Sequence, residues 1–215
     1  MKPNFWRAVT DNDRIGGKLL KRESKYWVDA FDKAEVVSVK PVKNESAVQS
    51  VFALPEGKGT LTVTFAGAKY GSGVSVWSVL DRDMEKCPLM PRFGFQTTVP
   101  KAFSKAEYFG RGPFENYADR KSGAMIGVYQ SPSDQLKYDY VRPQENGNRT
   151  DCRWISVAGE DGVGIFASQY TMIKASGPFS FSVWPYSFEN LKQALHTNDL
   201  EMATSLTLNL SLIHI

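Results

Sequence analysis

Apolar and polar residues alternate along six stretches of this chain, and the alternation limits what it can fold into. In a β-strand, successive side chains point to opposite faces, so each stretch offers one apolar face to a core and one polar face to water. This pattern is typical of antiparallel sheets and differs from the helix–strand rhythm of parallel sheets. The stretches are residues 36–40, 47–52, 60–65, 74–79, 179–184 and 206–212.

Turn-forming residues separate these stretches. Residues 55–59 (PEGKG) lie between two of them and predict a hairpin. Short helices are predicted over residues 25–31 and 187–195, where apolar residues recur at helical spacing after Ser24 and Ser187 as N-caps. The sequence therefore predicts an all-β fold, a large antiparallel sandwich with one or two short helices.

The domain organisation follows from length and from turn signals. A chain of 215 residues favours one large domain. Residues 1–20 are predicted to be an extended N-terminal segment that stays outside the core, and residues 21–215 a single sandwich domain. Because Trp77, Trp154 and Trp184 each lie in an apparent strand, all three are predicted to be in the core.

Charge and hydropathy exclude several classes of partner. The net charge is only +3, and the densest basic cluster (Lys18, Lys21, Arg22 and Lys25) is interpreted as a solvated connector, so no nucleic-acid partner is expected. No apolar run approaches the roughly 18 residues of a transmembrane helix, so no membrane partner is expected. No signal peptide is recognised in this chain, which leaves a cytoplasmic or a periplasmic location open.

Histidine and cysteine are too scarce for most catalytic or metal sites. The chain has two histidines, His196 and His214, and two cysteines, Cys87 and Cys152. A zinc site needs three or four ligands at ordered spacing, which these residues do not supply. The sequence predicts no metal and no cofactor.

Three polar clusters interrupt the alternation: residues 110–120, 140–154 and 195–200. Their carboxylates, amides and guanidinium groups suit vicinal sugar hydroxyls, and neighbouring aromatic rings could stack on a pyranose. The same groups also fasten long loops to a sandwich, and this structural reading is the favoured one. A glycosidase acid–base pair of Glu115 with Glu145 would need carboxyls roughly 5–9 Å apart.

These clusters carry a resemblance to a known family. Residues 110–120 (GRGPFENYADR) and 140–149 (YVRPQENGNR) resemble motifs in the last domain of glycoside hydrolase family 2 β-galactosidases. Residues 5–13 (FWRAVTDND) are similar to the segment that leads into that domain, and residues 195–197 (LHT) to a further motif. The motifs occur in the family's order and span residues 4 to about 210.

The resemblance implies a supersandwich of the galactose-mutarotase-like type and a role within a larger enzyme. In the family this domain follows a catalytic barrel, whose glutamates perform the hydrolysis, and it forms part of the wall of the galactoside site. The expected partners are therefore the barrel, the other domains and the galactoside substrate, and no catalytic residue is expected here. Residues 90–96 (MPRFGFQ) resemble a segment that begins a loop beside the pocket, where a glycine would suit a loop that rearranges as substrate moves in; the alternative interpretation of this glycine is a bulge in a strand. The residues predicted to contact carbohydrate are Gly94, Phe95, Glu145, Asn146, Arg149 and His196.

The end of the chain departs from the family pattern. Family members continue into a loop resembling Gly-Gly-Asp-Asp-Ser-Trp, whereas this sequence stops at Ile215. The expectation is a domain truncated at its C-terminal end, as a fragment or through loss of the loop. An unpaired strand edge left there would favour a homo-oligomer.

Two alternatives from other functional classes remain. A self-sufficient carbohydrate-binding module would use the polar and aromatic clusters alone. An aldose epimerase would need a general acid and a general base around the sugar ring, for which His196 with Glu145 is the available pair.

Overall fold

Three antiparallel sheets make up most of the described structure. The computed structural model describes residues 1–15, 24–43, 45–67, 73–83, 85–168 and 177–214. In these ranges there are two α-helices, α1 (Asp11–Ile15) and α2 (Phe188–Gln193), and thirteen strands. The strands are β1 (Lys2–Asn4), β2 (Glu35–Pro41), β3 (Ala47–Ala53), β4 (Gly59–Gly67), β5 (Val74–Arg82), β6 (Arg92–Pro100), β7 (Lys105–Gly112), β8 (Met125–Pro132), β9 (Arg149–Cys152), β10 (Trp154–Ala158), β11 (Gly164–Ser168), β12 (Phe179–Trp184) and β13 (Ser205–His214).

The larger compact unit comprises residues 1–22 and 90–215. It contains a five-stranded sheet in the order β1-β6-β13-β12-β9 and a four-stranded sheet in the order β11-β10-β7-β8. Phe181 and Leu208 of the first sheet and Tyr108, Ile155 and Val157 of the second belong to one buried cluster. The predicted all-β antiparallel sandwich is confirmed, and its galactose-mutarotase-like type stays a prediction.

The smaller compact unit comprises residues 23–89 and is a four-stranded meander in the order β2-β3-β4-β5. Leu61 and Val63 of β4 are buried on one face. A 3-10 helix (Ser24–Val28) buries Trp27, whose indole N–H donates to the Pro88 carbonyl at 3.0 Å. The apolar side of the meander and this tryptophan form the buried part of the unit.

The alternating stretches predicted the strands well. Each of the six lies within a strand, namely β2, β3, β4, β5, β12 or β13. The predicted hairpin at residues 55–59 joins β3 to β4, which are paired antiparallel. Ser187 caps α2, with its hydroxyl accepting from the Asn190 N–H at 3.0 Å, as predicted. The other predicted helix is shorter and of 3-10 type, over Ser24–Val28.

The prediction that all three tryptophans lie in the core is wrong for two of them. Trp184 is fully buried, whereas Trp77 and Trp154 are half-buried. Ile155 and Val157 fill the core side of β10, so the pleat turns Trp154 to the opposite face. Trp77 pairs with Thr64, one residue out of phase with the buried Val63. Alternation identifies a strand but does not tell which face is buried.

The N-terminal segment is not wholly extended and does not stay outside the core. β1 pairs with β6, and Phe5 and Trp6 are buried because their large rings remove apolar surface from water. Residues 11–15 form helix α1. The domain boundaries at residues 1–20 and 21–215 stay a prediction.

Two sequence features lie partly outside the described residues: residues 16–20 of the predicted N-terminal segment, and the basic residues Lys18, Lys21 and Arg22. In the described ranges, every helix is too short or too polar to cross a bilayer. The same ranges contain no group of three or more His, Cys, Asp or Glu side chains suited to a metal ion. Cys87 and Cys152 are both free thiols.

Candidate functional site

Two of the three polar clusters, residues 110–120 and 140–154, and the N-terminal segment surround one cavity in the larger unit. Its volume is about 480 Å³, and it is lined by residues of 7–13, 117–120, 140 and 144–145. The lining combines carboxylates and guanidinium groups with two tyrosine rings, Tyr117 and Tyr140. Segments far apart in the sequence therefore converge on the same polar site.

A capping arrangement at the start of α1 shapes one wall. The Thr10 N–H donates to Oδ2 of Asp13 at 2.8 Å, and the Asp13 N–H reaches the Thr10 hydroxyl oxygen at 3.4 Å. The Arg7 guanidinium also donates to Asp13, at 2.6 Å. Burial raises the pKa of Asp13, but the hydrogen bonds from Arg7 and Thr10 outweigh it, so this pKa lies below its ordinary value of 3.8.

Glu145 lies at the base of this wall and is completely paired. Its side chain is 0% exposed and forms an ion pair with Arg92, which is 1% exposed. Its second carboxylate oxygen, Oε2, accepts from the Ala8 N–H at 3.0 Å. Glu145 thus fastens the N-terminal segment to the loop after Tyr140, which gives the carboxylate a structural role.

Glu115 is paired just as fully. One of its oxygens, Oε1, accepts from Arg120 at 2.5 Å and from the Tyr140 hydroxyl. The other oxygen, Oε2, accepts from the Gly147 N–H at 2.7 Å. Gly147 has φ of +70°, and a Cβ there would lie 2.6 Å from the Leu136 carbonyl oxygen, so glycine is required at this turn. Burial, followed by the contact with Glu115, raises the pKa of Tyr140 to about 12.

Asn146 and Arg149 are used to hold the loop itself. The Asn146 side chain bonds to the Tyr138 N–H, the Gln144 carbonyl and the Tyr186 hydroxyl, and its own carbonyl accepts from the Trp184 indole at 2.9 Å. Arg149 donates to the carbonyls of three loop residues: Leu136 and Gly147 at 2.7 Å and Pro113 at 3.1 Å. Both side chains are buried. A sugar contact by either residue stays a prediction.

Gly94 and Phe95 lie inside β6 rather than in a loop. Gly94 pairs with Asn4 on one side and with Ser211 on the other. A Cβ at Gly94 would lie 2.0 Å from the Leu210 carbonyl oxygen, so the close approach of β13 requires glycine. The register of β6 with β13 shifts after this pair, next to an irregularity in β13. A carbohydrate contact by Gly94 or Phe95 stays a prediction.

His196 differs from the buried carboxylates because its side chain is exposed. It is exposed and precedes a 3-10 helix (Thr197–Asp199), where its backbone N–H donates to Oδ2 of Asp199 at 2.9 Å. Hydrogen bonds from the His196 and Leu195 backbone hold the pKa of Asp199 below 3.8. Since Glu145 is completely buried and His196 is exposed, the geometry does not support them as the acid and base of an epimerase.

Of the six predicted contact residues, the structure places one, Glu145, in the cavity lining. The sequence reasoning missed the exposed lining residues Asn12, Asp119 and Arg120, although they lie in the polar motifs. The signal available was the interruption of alternation at residues 117–120. From the sequence alone, this interruption does not distinguish the exposed lining residues from the buried residues next to them.

The Glu115 and Glu145 carboxylates share one feature: both oxygens of each accept hydrogen bonds from groups of the protein. Fold and site together define a β-sandwich domain whose carboxylates tie its loops around a polar cavity.

A family model described as the beta galactosidase small chain matches residues 1–215, so the chain belongs to this family. It is 32% identical over 212 residues to a β-galactosidase of Priestia megaterium, a match that covers 98% of this chain and 20% of the relative. It is 33% identical over 207 residues to a β-galactosidase of Actinobacillus pleuropneumoniae, covering 92% of this chain and 19% of the relative. The chain spans about one fifth of the length of these curated relatives.

Proposed function

We propose that the chain is a structural and carbohydrate-binding domain of a β-galactosidase and contributes no catalytic carboxylate. In this proposal the remainder of the enzyme hydrolyses terminal β-D-galactosides, and this domain supports that remainder and forms part of the wall of its sugar site. The observation behind the proposal is that the whole chain matches the small-chain family, yet only about one fifth of each relative.

The pairing of the buried acids supports a non-catalytic role. Removing Glu145 from its contacts would break a fully buried ion pair with Arg92, so the carboxylate cannot be released to react without a large loss of stability. Glu115 is 6% exposed and pairs with Arg120, whose side chain is 51% exposed. Catalysis by the rest of the enzyme requires neither carboxylate.

An exposed apolar face supports a large partner. On the outer face of the β11-β10-β7-β8 sheet, Trp154 pairs with Phe109, and Phe109 pairs with Val128. Phe166 stacks on Trp154 with ring centroids 5.9 Å apart. Phe166 is 64% exposed and Val128 59%. Apolar surface of this kind commonly marks an interface, and we propose the remainder of the β-galactosidase as its occupant.

The test replaces the matching fifth of the Priestia megaterium β-galactosidase with this chain and measures turnover of a chromogenic β-galactoside. The resulting chimeric enzyme (called the replaced enzyme) is expected to be active. The Priestia megaterium enzyme that lacks this fifth is expected to be inactive. Phe166→Asp in the replacing chain is expected to reduce activity, because a carboxylate would be buried at the apolar interface. The exposed substitution Glu160→Gln serves as its control.

The same truncated enzyme is also rejoined to its own matching fifth as a control. If that fifth restores activity and this chain does not, the proposed role is contradicted. Self-association of the isolated chain that Phe166→Asp abolishes, without any effect on the replaced enzyme, would assign the apolar face to a second copy instead.

A further inference from the structure

We propose that the cavity binds a neutral pyranose sugar through three exposed side chains, Asn12, Asp119 and Arg120. These three residues are called the cavity rim below, and the buried Arg7, Asp13 and Glu145 are called the cavity floor. The choice of sugar as the ligand rests on the proposed function, but the location of the site rests on the cavity itself.

The cavity has the size and the rigidity of a small-molecule site. Its volume of about 480 Å³ falls within the roughly 300–1,000 Å³ usual for ligand pockets. The floor residues are at most 9% exposed. Arg7 and Asp13 form one ion pair, and Glu145 forms another with Arg92. A floor fixed in this way is formed before a ligand arrives, so little ordering would accompany binding.

The rim has hydrogen-bonding capacity to spare. Among the residues that the structure describes, no hydrogen bond involves the side chain of Asn12 or Asp119. Arg120 donates from a single nitrogen, Nη2, to Glu115 and to the Tyr140 hydroxyl, which leaves Nε and Nη1 for a ligand. An amide, a carboxylate and a guanidinium together offer the donors and acceptors that adjacent hydroxyls of a sugar require.

Aromatic surface completes the match to a sugar. Tyr117 and Tyr140 both line the cavity, and the Arg120 guanidinium lies 4.7 Å from the Tyr117 ring centroid. Burial and the nearby Glu145 carboxylate raise the pKa of Tyr117 well above its ordinary value. Both hydroxyls are therefore neutral at pH 7. The Tyr140 hydroxyl is already bonded to Glu115 and Arg120, so the contribution of the two tyrosines to a sugar is apolar ring surface.

The charge of the lining argues against an anionic ligand. Three of the four lining carboxylates are neutralised by ion pairs, Asp13 with Arg7, Asp11 with Arg14 and Glu145 with Arg92. Among the described residues Asp119 has no such pair, so a phosphate or a uronic acid placed on the rim would meet its negative charge, whereas a neutral polyol would not. A cation is the competing ligand, and the experiment includes it.

The test is a titration of the 215-residue chain with methyl β-D-galactopyranoside, followed by protein amide NMR. We expect saturable binding with a dissociation constant on the order of 1–10 mM, typical of a small ligand with few contacts. Ala118→Trp, which fills the cavity with an indole, should weaken binding at least tenfold. Ala102→Trp places the same indole at an exposed alanine outside the lining and should leave binding unchanged.

Further arms identify the chemistry of the ligand. Asp119→Asn should weaken sugar binding severalfold, and equal binding of the glucoside would still support a neutral pyranose site. Absence of saturation at about 100 mM sugar, or equal affinity in Ala118→Trp, would overturn the proposal. Calcium or magnesium chloride that shifts the rim resonances while the sugar does not would also overturn it.

The two proposals can fail separately. Loss of turnover in the replaced enzyme with sugar binding intact would contradict the proposed function alone. Turnover without sugar binding by the isolated chain would contradict the cavity site alone.

Discussion

The floor and the rim of the cavity contain the same kinds of side chain but use them differently. On the floor, Glu145 is 0% exposed and bonded to Arg92 and to the Ala8 N–H. On the rim, Asp119 is exposed, and no described residue hydrogen-bonds to its side chain. The comparison shows that residue type alone does not distinguish a side chain that stabilises the loops from one that is available to a ligand. The distinction depends on how deeply the side chain is buried and on whether its hydrogen bonds are already made within the protein.

The largest expected effect lies beneath the floor, at Trp184. This indole is fully buried, stacks near Tyr186 and Phe188, and donates to the carbonyl of Asn146, the residue after Glu145. Trp184→Ala should lower the free energy of unfolding by about 5 kcal/mol, through the cavity left and the lost hydrogen bond. Urea denaturation measures it, and half-buried Trp154→Ala should lose clearly less. Equal losses would mean that the two strand faces are assigned wrongly.

Breaking the ion pair of the floor should be nearly as severe. Glu145→Ala breaks a fully buried ion pair with Arg92 and should lower the free energy of unfolding by about 4 kcal/mol. The double variant Arg92→Met with Glu145→Leu should recover much of this loss, since both charges of the pair are then removed. Denaturation of all three chains checks both statements. A loss below about 1 kcal/mol for Glu145→Ala would be the value of a solvent-exposed ion pair and would contradict the burial of this one.

Acid should weaken the floor through Asp13. The pKa of Asp13 is below 3.8 in the folded chain, so the unfolded chain takes up the proton at higher pH. The stabilisation by Asp13 is therefore complete above its unfolded pKa and is lost as the pH falls below 3.8 through the folded value. We expect the free energy of unfolding to fall less between pH 6 and pH 3 in Asp13→Asn than in the unaltered chain. Equal falls in the two chains would show that Asp13 does not contribute to the pH dependence.

The rim should give the smallest effect on stability. Because Asp119 is exposed and supports no described neighbour, Asp119→Asn should change the free energy of unfolding by less than about 0.5 kcal/mol. Glu145→Gln is measured under the same conditions. Comparing the two losses of unfolding free energy distinguishes a carboxylate that stabilises the fold from one that does not, within one cavity. A loss at Asp119 as large as that at Glu145 would remove the distinction.

Much of the fold could be predicted from the sequence, because period-two alternation follows directly from strand geometry. β12 has the predicted bounds, and Ser187 caps α2 through its hydroxyl. The buried faces of β5 and β10 could not be predicted, since an apolar residue such as Trp77 or Trp154 fits either side of a sheet until its neighbours are known.

The candidate site was only partly predictable, for a different reason. The motifs at residues 110–120 and 140–149 located the polar region, but not which of its side chains lack hydrogen bonds from other described residues. Glu145 pairs with Arg92, 53 residues earlier, and with Ala8, 137 residues earlier. Partners so distant in sequence leave no local pattern, so saturation of a carboxylate can be read only from the fold.

The central claim is that the acids of this domain support an enzyme and do not themselves react. The most direct measurement is the rate of hydrolysis of a chromogenic β-galactoside by the purified 215-residue chain without any other protein. We predict no turnover above the uncatalysed rate at any pH at which the chain is folded. Turnover that Glu115→Gln or Glu145→Gln abolishes, while the variant chain stays folded, would contradict the claim.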